Sequence, residues 1–466
     1  MSELWKRSAL ELAKTFASGE ASASEIVEAH LARIDEVNPV LNAIVRRLDE
    51  EARASAARMD AARATGEKLG PLAGVPFTIK ENIDVTGHPT TYGIPFCAES
   101  IPSLEAPVVE RMRNAGAIPL ARTNLPDLGL RMHTDSALHG LTRNPWNLEH
   151  TAGGSSGGEG ASLATGMSPL GLGNDLGGSL RNPATCCSIA SIKPTQGRVP
   201  RIEEVKVVPH SIMMQLLAVE GTRARTVADV RTALQVVAGA HPRDPWTVPM
   251  PLTAAAGSRR VAIVAEPPGG STDPRVAAVA RAAAGALADA GVAVEEIEAP
   301  RYADVVDCWT TLVVGNIAAG LDLLSSVVSA DATKFLTDAV ADAGPFTTED
   351  IQEAWVSRFE LAAEWAQFFT GWDAILTPTW TQLPFKHGFD IDGPGGPAAL
   401  LELARPVTPA NVLGLPSAAV PAGLVDALPV GVLLTGPAWS ELICLELAEL
   451  IEKSGIAPAT PIDPMT

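Results

Sequence analysis

Residues 151–200 read TAGGSSGGEGASLATGMSPLGLGNDLGGSLRNPATCCSIASIKPTQGRVP, and this stretch decides the fold. Glycine pairs stand at 153–154, 157–158 and 177–178, each next to a serine. Paired glycines let the backbone approach another group closely or adopt positive φ angles. Runs of glycine and serine also form flexible linkers. Here they are embedded in apolar, strand-like sequence, which favours tight loops that hold serine side chains at a functional site.

Short apolar runs alternate with glycine-rich turns around this stretch, which is typical of buried strands joined by tight loops and helices. A strand at 261–266, an alanine-rich helix near 274–291 and a strand at 291–298 predict a parallel β–α–β crossover. Further strands are predicted at 74–80, 117–122, 167–173, 187–193, 372–379, 415–423 and 428–436, and a final amphipathic helix at 440–455. The pattern predicts a mixed α/β protein.

Two segments, residues 7–66 and 303–370, are predicted to be mainly helical. Ser22 and Glu25 form a capping box at the start of one helix, which Pro39 is expected to end. No repeat, long linker or composition break divides the sequence. We therefore predict a single domain over residues 1–466, with the N-terminal helical segment packed on the rest.

The charge balance and the first residues narrow the class of partner. The net charge is −19, and no basic patch offers a site for nucleic acid or an anionic membrane. The N-terminus lacks the basic start and apolar run of a signal peptide. No apolar stretch approaches the roughly 20 residues of a spanning helix. We expect a cytoplasmic protein without a nucleic-acid or membrane partner.

Cysteine and histidine usage points away from metal chemistry. The five cysteines form no CxxC pair, as expected of free thiols in a reducing cytoplasm. The sequence contains neither HExxH nor a Cys/His cluster with zinc spacing. We expect no metal and no cofactor.

A catalytic serine needs a base, and the residues alone leave the choice open. His133, His139 and His150 lie nearby, but none stands in a recognisable Ser/His/Asp order. GGSSG at 153–157 formally matches the G-x-S-x-G elbow, which would make Ser155 the nucleophile.

Lysine is the other known partner of a catalytic serine. Lys80 ends the apolar run GVPFTIK, where burial would lower its pKa toward that of a base. A lone lysine at a strand end is more often a solvated surface charge, and that interpretation also stays open.

Several motifs together resemble the signature of the amidase signature family. The strongest matches are GGSSGG at 153–158, GNDLGGS at 173–179 and KPTQGR at 193–198. Weaker matches are GVPFTIKEN at 74–82, ARTNLPDLG at 121–129, TRNPWN at 142–147 and TPANVLGLPSAAVPAG at 408–423. The resemblance covers most of the chain. It implies an α/β fold with a large, mixed, mostly twisted β-sheet covered on both faces by α-helices, and a hydrolase that cleaves linear amides.

The resemblance also implies a role for each matching residue. Ser179 matches the nucleophile, Ser155 the proton relay beside a cis peptide bond, and Lys80 the base. The backbone N–H groups that match the oxyanion hole belong to Leu176, Gly177, Gly178 and Ser179. The mechanism so implied is acylation of Ser179, with the relay returning a proton to the leaving amine and then activating water.

The residues around the trio are expected to support the loop or contact substrate. Asp175 matches a loop-supporting residue, and Arg181 either does the same or contacts the substrate. Met132 and His133 lie where the family lines the acyl pocket, although a core methionine and a hydrogen-bonded loop histidine are equally reasonable. Gly154 completes the candidate substrate contacts.

Three departures from the family pattern leave the trio intact but put substrate contacts in doubt. Asn174 replaces the usual threonine, Glu159 replaces the serine that commonly follows GGSSGG, and GVLLTG at 431–436 replaces G-x-Q-x-x-G.

The leading hypothesis is a homodimeric amidohydrolase acting on a small aryl or alkyl amide. The alternative is the glutamine-hydrolysing subunit of a tRNA-dependent amidotransferase complex, which shares the trio. The flanking RMHTDSALHG at 131–140 does not resemble that branch. A third hypothesis, a binding module that has lost activity, conflicts with the presence of all three catalytic positions.

Overall fold

The computed structural model describes residues 3–208, 210–254 and 256–465. Its strands, in chain order, are β1 (Ile44–Arg47), β2 (Pro76–Lys80), β3 (Ile118–Thr123), β4 (Asp135–Ser136), β5 (Gly140–Leu141), β6 (Arg143–Asn144), β7 (Asn147–Thr151), β8 (Leu170–Asp175), β9 (Ala190–Lys193), β10 (Val219–Ala224), β11 (Arg260–Ile263), β12 (Ala293–Glu296), β13 (Ala374–Pro378), β14 (Ser417–Val425) and β15 (Leu428–Thr435).

The α-helices of the same residues are α1 (Ala9–Ser18), α2 (Ala23–Leu41), α3 (Asp49–Thr65), α4 (Pro107–Asn114), α5 (Gly157–Ala164), α6 (Arg181–Cys187), α7 (Ile212–Leu217), α8 (Val227–Val237), α9 (Pro274–Asp289), α10 (Tyr302–Ala319), α11 (Leu321–Ser325), α12 (Ala330–Ala343), α13 (Thr348–Phe368), α14 (Phe389–Asp392), α15 (Gly396–Ala404), α16 (Thr408–Val412) and α17 (Glu441–Lys453). Short 3₁₀ turns lie at Glu3–Lys6, Pro95–Cys97 and Asp127–Gly129.

Eleven strands form one mixed sheet in the order β1-β3-β2-β8-β10-β9-β14-β15-β13-β11-β12. The neighbours β3 and β2, β2 and β8, β13 and β11, and β11 and β12 run parallel, and the other pairs are antiparallel. Every residue of the central strands β2, β8, β9, β10 and β15 is buried, as expected where helices cover both faces. The predicted fold class is confirmed. The assignment of one domain stays a prediction.

The N-terminal segment is helical but contains a strand that the sequence did not predict. The capping box of Ser22 and Glu25 is present at the start of α2. The expectation that Pro39 ends this helix is wrong, because α2 continues to Leu41 and ends where Asn42 adopts φ 51°. A proline in the last turn removes only one backbone donor near the helix end, so the helix tolerates it. Residues 44–47 then form β1 at the sheet edge.

The predicted β–α–β crossover is confirmed by β11, α9 and β12, whose strands run parallel. The strand expected at 291–298 is shorter than predicted, since only residues 293–296 pair. The strands expected at 415–423 and 428–436 form the antiparallel hairpin of β14 and β15. No helix within the described ranges is both long and apolar enough to cross a membrane.

Apolar side chains form two large clusters. The first joins the N- and C-terminal helices to the sheet and includes Phe77, Leu172 and Leu433. The second packs α10, α13 and α16 together and includes Trp309 and Trp365. The second cluster matters for function because it holds α10 beside the loop that follows β8.

Candidate active site

Two adjacent strands bring the predicted base and the predicted nucleophile loop to the same edge of the sheet. β2 ends at Lys80, and its parallel neighbour β8 ends at Asp175, where the loop that carries Ser179 begins. Segments that follow parallel strands meet at the carboxyl ends of those strands. The GGSSGG segment leads into α5 and brings Ser155 to the same place.

Lys80 is buried and makes two short hydrogen bonds. Its Nζ atom donates to Ser155 Oγ and to Asn174 Oδ1, both at 2.7 Å. Burial lowers the pKa of Lys80 to about 7, assisted by the nearby positive charge of Arg223. An amine with this pKa is substantially neutral at physiological pH and can accept a proton. The interpretation of Lys80 as a solvated surface charge is therefore wrong.

The two serines occupy different environments. The peptide bond between Gly154 and Ser155 is cis, as the resemblance implies. Ser155 is buried against Lys80, whereas Ser179 is partly exposed and lines a cavity. Within the described ranges, the hydrogen bonds include none between the two serine hydroxyls. This arrangement favours Ser179 over Ser155 as the residue that meets substrate.

Two polar residues that the sequence analysis missed join the serine loops. Asn182 Nδ2 donates to the carbonyl oxygens of Gly154 at 3.2 Å and Gly177 at 3.1 Å. Ser156 Oγ donates to the carbonyl oxygen of Ser179 at 2.9 Å. The only signals in the sequence were the second serine of GGSSGG and an asparagine three residues after Ser179. Neither pattern by itself predicts a contact between loops.

The nucleophile loop is held by Asp175. Its Oδ1 accepts from the Gly178 N–H at 2.8 Å, and its Oδ2 accepts from the Leu180 N–H at 3.0 Å. The Gly178 N–H is thus already used, which corrects the expectation that it faces the oxyanion. The N–H groups of the three other candidates have no acceptor among the described residues, namely Leu176, Gly177 and Ser179.

Arg181 supports the loop, and the expected contact with substrate is corrected. Its guanidinium pairs with Asp175 at 2.9 Å and also donates to Val407 O at 2.7 Å and Asn411 Oδ1 at 2.6 Å. The side chain is fully buried. Its donors are therefore directed into protein.

Replacing Asp175 by alanine should lower the free energy of unfolding by about 3–5 kcal/mol, because Arg181 would stay buried without its counter-charge. The double variant Asp175→Ala/Arg181→Met should lose less than the single variant, since no uncompensated charge remains. Urea-induced unfolding measures both. A double variant that is less stable than Asp175→Ala would contradict the assignment.

The same ion pair gives stability a pH dependence. Burial alone would raise the pKa of Asp175, but Arg181 outweighs burial and holds the pKa below its usual value. A carboxyl group with a lowered folded-state pKa stabilises fully above its unfolded-state pKa, and this contribution is lost as the pH falls. The stabilisation that this ion pair contributes to the folded state is therefore lost on acidification.

The cavity at Ser179 is lined mainly by apolar side chains. Leu176, Gly177 and Ser179 belong to its lining, together with residues 129–132 and Leu401. Side chains of α10 and α12 form a large part of the wall, namely Trp309, Val313, Val314, Ile317, Phe335, Leu336 and Ala339. Trp309 Nε1 donates to the carbonyl oxygen of Leu176 at 3.0 Å. A Cβ atom at position 177 would lie 2.6 Å from the Trp309 ring, so only glycine fits there.

The predicted substrate contacts are met only in part. Met132 lines the cavity as expected. His133 does not, because its buried ring accepts or donates a hydrogen bond at 2.9 Å with Thr151 Oγ1, and burial lowers its pKa to about 3. Gly154 packs against the backbone of residues 131–133, where a Cβ atom would lie 2.5 Å from Met132 C. The predictions for His133 and Gly154 as substrate contacts are corrected to packing roles.

Glu159, one of the departures from the family pattern, lies beneath the site. Its carboxyl group accepts hydrogen bonds from Thr78 and Thr123, which belong to β2 and β3. Burial raises its pKa to about 7.

Within residues 3–208, 210–254 and 256–465, no group of three or more His, Cys, Asp or Glu side chains is arranged to hold a metal ion.

Comparisons with known proteins agree with the motifs. Residues 25–445 match the family model described as Amidase. An indoleacetamide hydrolase of Bradyrhizobium diazoefficiens is 39% identical over 454 residues, covering 97% of this chain and 87% of that protein. A glutamyl-tRNA(Gln) amidotransferase subunit from Synechococcus sp. is 34% identical, covering 95% and 96%. The solved structure of a bacterial aryl acylamidase of the amidase signature family aligns with a TM-score of 0.84 at 27% identity, covering 98% of each chain.

Proposed function

The chain belongs to the Amidase family and hydrolyses carboxylic amides, and on this basis we propose that it acts through an acyl-enzyme on Ser179, with Ser155 as relay and Lys80 as base. The observation that carries the proposal is the 2.7 Å hydrogen bond between Lys80 Nζ and Ser155 Oγ. Ser179 lines the cavity, and its carbonyl oxygen accepts a hydrogen bond at 2.9 Å from Ser156, the residue that follows Ser155.

In the proposed reaction, neutral Lys80 accepts a proton from Ser155 while Ser155 accepts one from Ser179, whose oxygen attacks the carbonyl carbon. The N–H groups of Leu176, Gly177 and Ser179 hold the oxyanion, and loss of one such donor typically costs about 10²–10³ in rate. The relay then returns the proton to the leaving amine. Water enters, loses a proton to the same relay, and releases the acid.

The substrate is proposed to carry an aryl or alkyl acyl group. Apolar side chains of α10 and α12 line the cavity, and burying such a group there is favourable. The charged residue of the lining, Arg131, is paired with Asp390 at 2.8 Å. The indoleacetamide hydrolase relative supports this class, because the indole ring of indoleacetamide belongs to its acyl group.

A panel of amides tests the proposed substrate. The purified chain is incubated with four primary amides, namely indoleacetamide, benzamide, acetamide and glutamine, and ammonia release is measured. Aryl amides should be hydrolysed with the highest kcat/KM and without added partners. Strict dependence on glutamine would instead support the amidotransferase alternative. The observation behind that alternative is the 34% identical amidotransferase subunit.

Ala339→Phe should narrow the acyl cavity, because residue 339 lies on its α12 wall. We expect kcat/KM for indoleacetamide to fall by about tenfold or more relative to acetamide, since overpacking costs roughly 1–3 kcal/mol. Ala343→Phe, which lies at the end of the same helix and not in the cavity lining, is the matched control. If the ratio of kcat/KM for indoleacetamide to kcat/KM for acetamide were unchanged, the acyl group would have to bind outside this cavity.

We also propose that the enzyme is cytoplasmic and that it forms a homodimer. The five cysteines within the described residues form no disulfide, which is the usual state in a reducing compartment. Analytical ultracentrifugation of the purified chain measures its oligomeric state.

A further inference from the structure

Two asparagine side chains form a pair next to Lys80. Asn82 follows Lys80 by two residues, in the turn after β2, and Asn174 lies on the parallel neighbour β8. Asn174 Nδ2 donates to Asn82 Oδ1 at 3.0 Å, and Asn82 Nδ2 donates to Asn174 Oδ1 at 3.4 Å. Both asparagines are buried. The two amides therefore hold each other in a fixed orientation, shielded from solvent.

This amide pair decides which atom of Asn174 meets the lysine. Among the described residues, Lys80 Nζ makes two hydrogen bonds, one with Asn174 Oδ1 and one with Ser155 Oγ, both at 2.7 Å. Because Asn174 Nδ2 is turned to Asn82, the Asn174 oxygen is the atom that faces Lys80. An amide oxygen accepts hydrogen bonds and cannot donate them. Asn174 therefore takes an N–H of the lysine and leaves the nitrogen lone pair free.

An acceptor at this place fixes the direction of proton transfer. A neutral lysine amine has two N–H groups and one lone pair. When Asn174 holds one N–H, the lone pair can be turned to the Ser155 hydroxyl, whose proton the base must accept. A hydroxyl at position 174, such as that of the threonine usual in the family, can donate as well as accept and would compete for the lone pair. Asparagine removes this competition.

We propose that Asn174 is a positioning residue that directs the lone pair of Lys80 at Ser155, and that Asn82 keeps the Asn174 amide in the orientation this requires. The proton passes from Ser155 Oγ to Lys80 Nζ as in the proposed reaction, and neither asparagine gains or loses one. The inference rests on the proposed function, because it explains how the base of that reaction is held.

Four charged groups also face Lys80 from the surrounding elements. They are Arg223 and Glu220 of β10, Asp175 of β8 and Glu159 of α5. The hydrogen bonds of Lys80 Nζ within the described ranges include none to these four groups. Substitutions at positions 82 and 174 leave all four in place. A change in pH dependence then reports on the contact between Lys80 and residue 174.

Two substitutions at position 174 separate the acceptor from charge. The rate at which a fluorophosphonate labels Ser179 is measured as a function of pH. In Asn174→Leu the acceptor is lost, so the plateau rate should fall by about tenfold or more, since small misplacements of catalytic groups cost up to about 10²-fold. The midpoint should move to lower pH by about one unit, because the ammonium form loses a hydrogen bond.

Asn174→Asp keeps an acceptor of the same size and adds a negative charge. The plateau should stay within about threefold of the wild type, and the midpoint should move to higher pH by about 1–3 units, because a nearby opposite charge favours the ammonium form. Plateaus lowered equally in both variants would overturn the proposal, since the acceptor would then not matter. A lower plateau with an unmoved midpoint in both would indicate only a structural role and would overturn it as well.

Asn124→Leu is the matched control. Asn124 is also buried and follows β3, the other neighbour of β2, but its Nδ2 atom donates to Gly140 O at 2.8 Å and Thr142 Oγ1 at 3.0 Å. Its midpoint should equal that of the wild type. A midpoint moved as far as that of Asn174→Leu would show that the shift is not specific to position 174 and would contradict the proposal. Circular dichroism checks that each variant is folded.

The role assigned to Asn82 has its own test. Asn82→Leu removes the group that holds Asn174 Nδ2, so the Asn174 amide can rotate and donate to the lysine lone pair, and the plateau should fall by about tenfold. In Asn174→Asp both side-chain oxygens are acceptors, so rotation makes no difference. Adding Asn82→Leu to Asn174→Asp should therefore change the plateau by less than about threefold. An equal loss in both backgrounds would mean that the two residues act independently and would overturn this role.

Failure of the inference and failure of the proposed function give different results. Labelling of Lys80→Met at the wild-type rate would refute both together. Labelling that needs Lys80, but whose plateau and midpoint are the same in Asn174→Leu as in the wild type, would refute the inference alone.

Discussion

Lys80→Met should lower the rate of Ser179 acylation by about 10⁴-fold or more. When catalytic residues act as a unit, removing one of them costs nearly as much rate as removing all of them. In the wild type, the rate should rise through a pKa of about 7, far below the roughly 10.4 of free lysine. The base works only when neutral, so activity should be lost as the pH falls through this value. Methionine keeps most of the buried stem but cannot accept the proton.

The chain contains a matched control for this substitution. Lys193 is also fully buried, burial lowers its pKa to about 7, and its Nζ atom donates to Pro194 O and Leu415 O, both at 2.8 Å. Lys193→Met should retain acylation within about tenfold, provided circular dichroism shows a folded chain. A pH profile of Lys80→Met with the wild-type midpoint near 7 would contradict the assignment of Lys80.

Ser179→Ala should abolish covalent labelling by a fluorophosphonate and lower amide hydrolysis by about 10⁴-fold or more, because it removes the attacking oxygen. Ser155→Ala should behave differently. It removes only the proton relay, so hydrolysis should fall by about 10²–10⁴-fold, and slow labelling of Ser179 should remain.

Mass spectrometry of the labelled peptide distinguishes the two serines, since they lie in different loops. The result expected is a single adduct on Ser179 in the wild type and in Ser155→Ala. An adduct on Ser155 in Ser179→Ala at the wild-type rate would restore the nucleophile-elbow interpretation of GGSSG.

Much of the proposed catalytic centre could be located from motifs, because each motif is a short local pattern in the sequence. Lys80, Ser155 and Ser179 follow or precede short glycine-rich or apolar runs whose pattern is local in the sequence. The short strand β1 escaped prediction because IVRR is only four residues long and lies at the sheet edge. Edge strands are half exposed and carry a weak apolar pattern.

The errors around the site have a common physical cause. His133 and Arg181 are polar residues close to the catalytic motifs, which made a substrate contact reasonable. Their actual partners, Thr151 for His133 and Val407 and Asn411 for Arg181, are set by tertiary packing. The alignment of β10 with β8, which sets residue 220 opposite residue 174, likewise depends on strand register, which a single sequence does not reveal.

The origin of the cavity wall has a consequence for how substrate preference can change over generations. The groups proposed to transfer protons come from β2 and the loops before α5 and α6, whereas much of the wall of the proposed acyl cavity comes from α10 and α12. The wall meets the loop that carries Ser179 at Trp309. The indole of Trp309 contacts Gly177 and donates a hydrogen bond to the carbonyl oxygen of Leu176. Mutations elsewhere on the wall can therefore accumulate one side chain at a time, so the chemistry is inherited intact while the range of accepted acids diversifies.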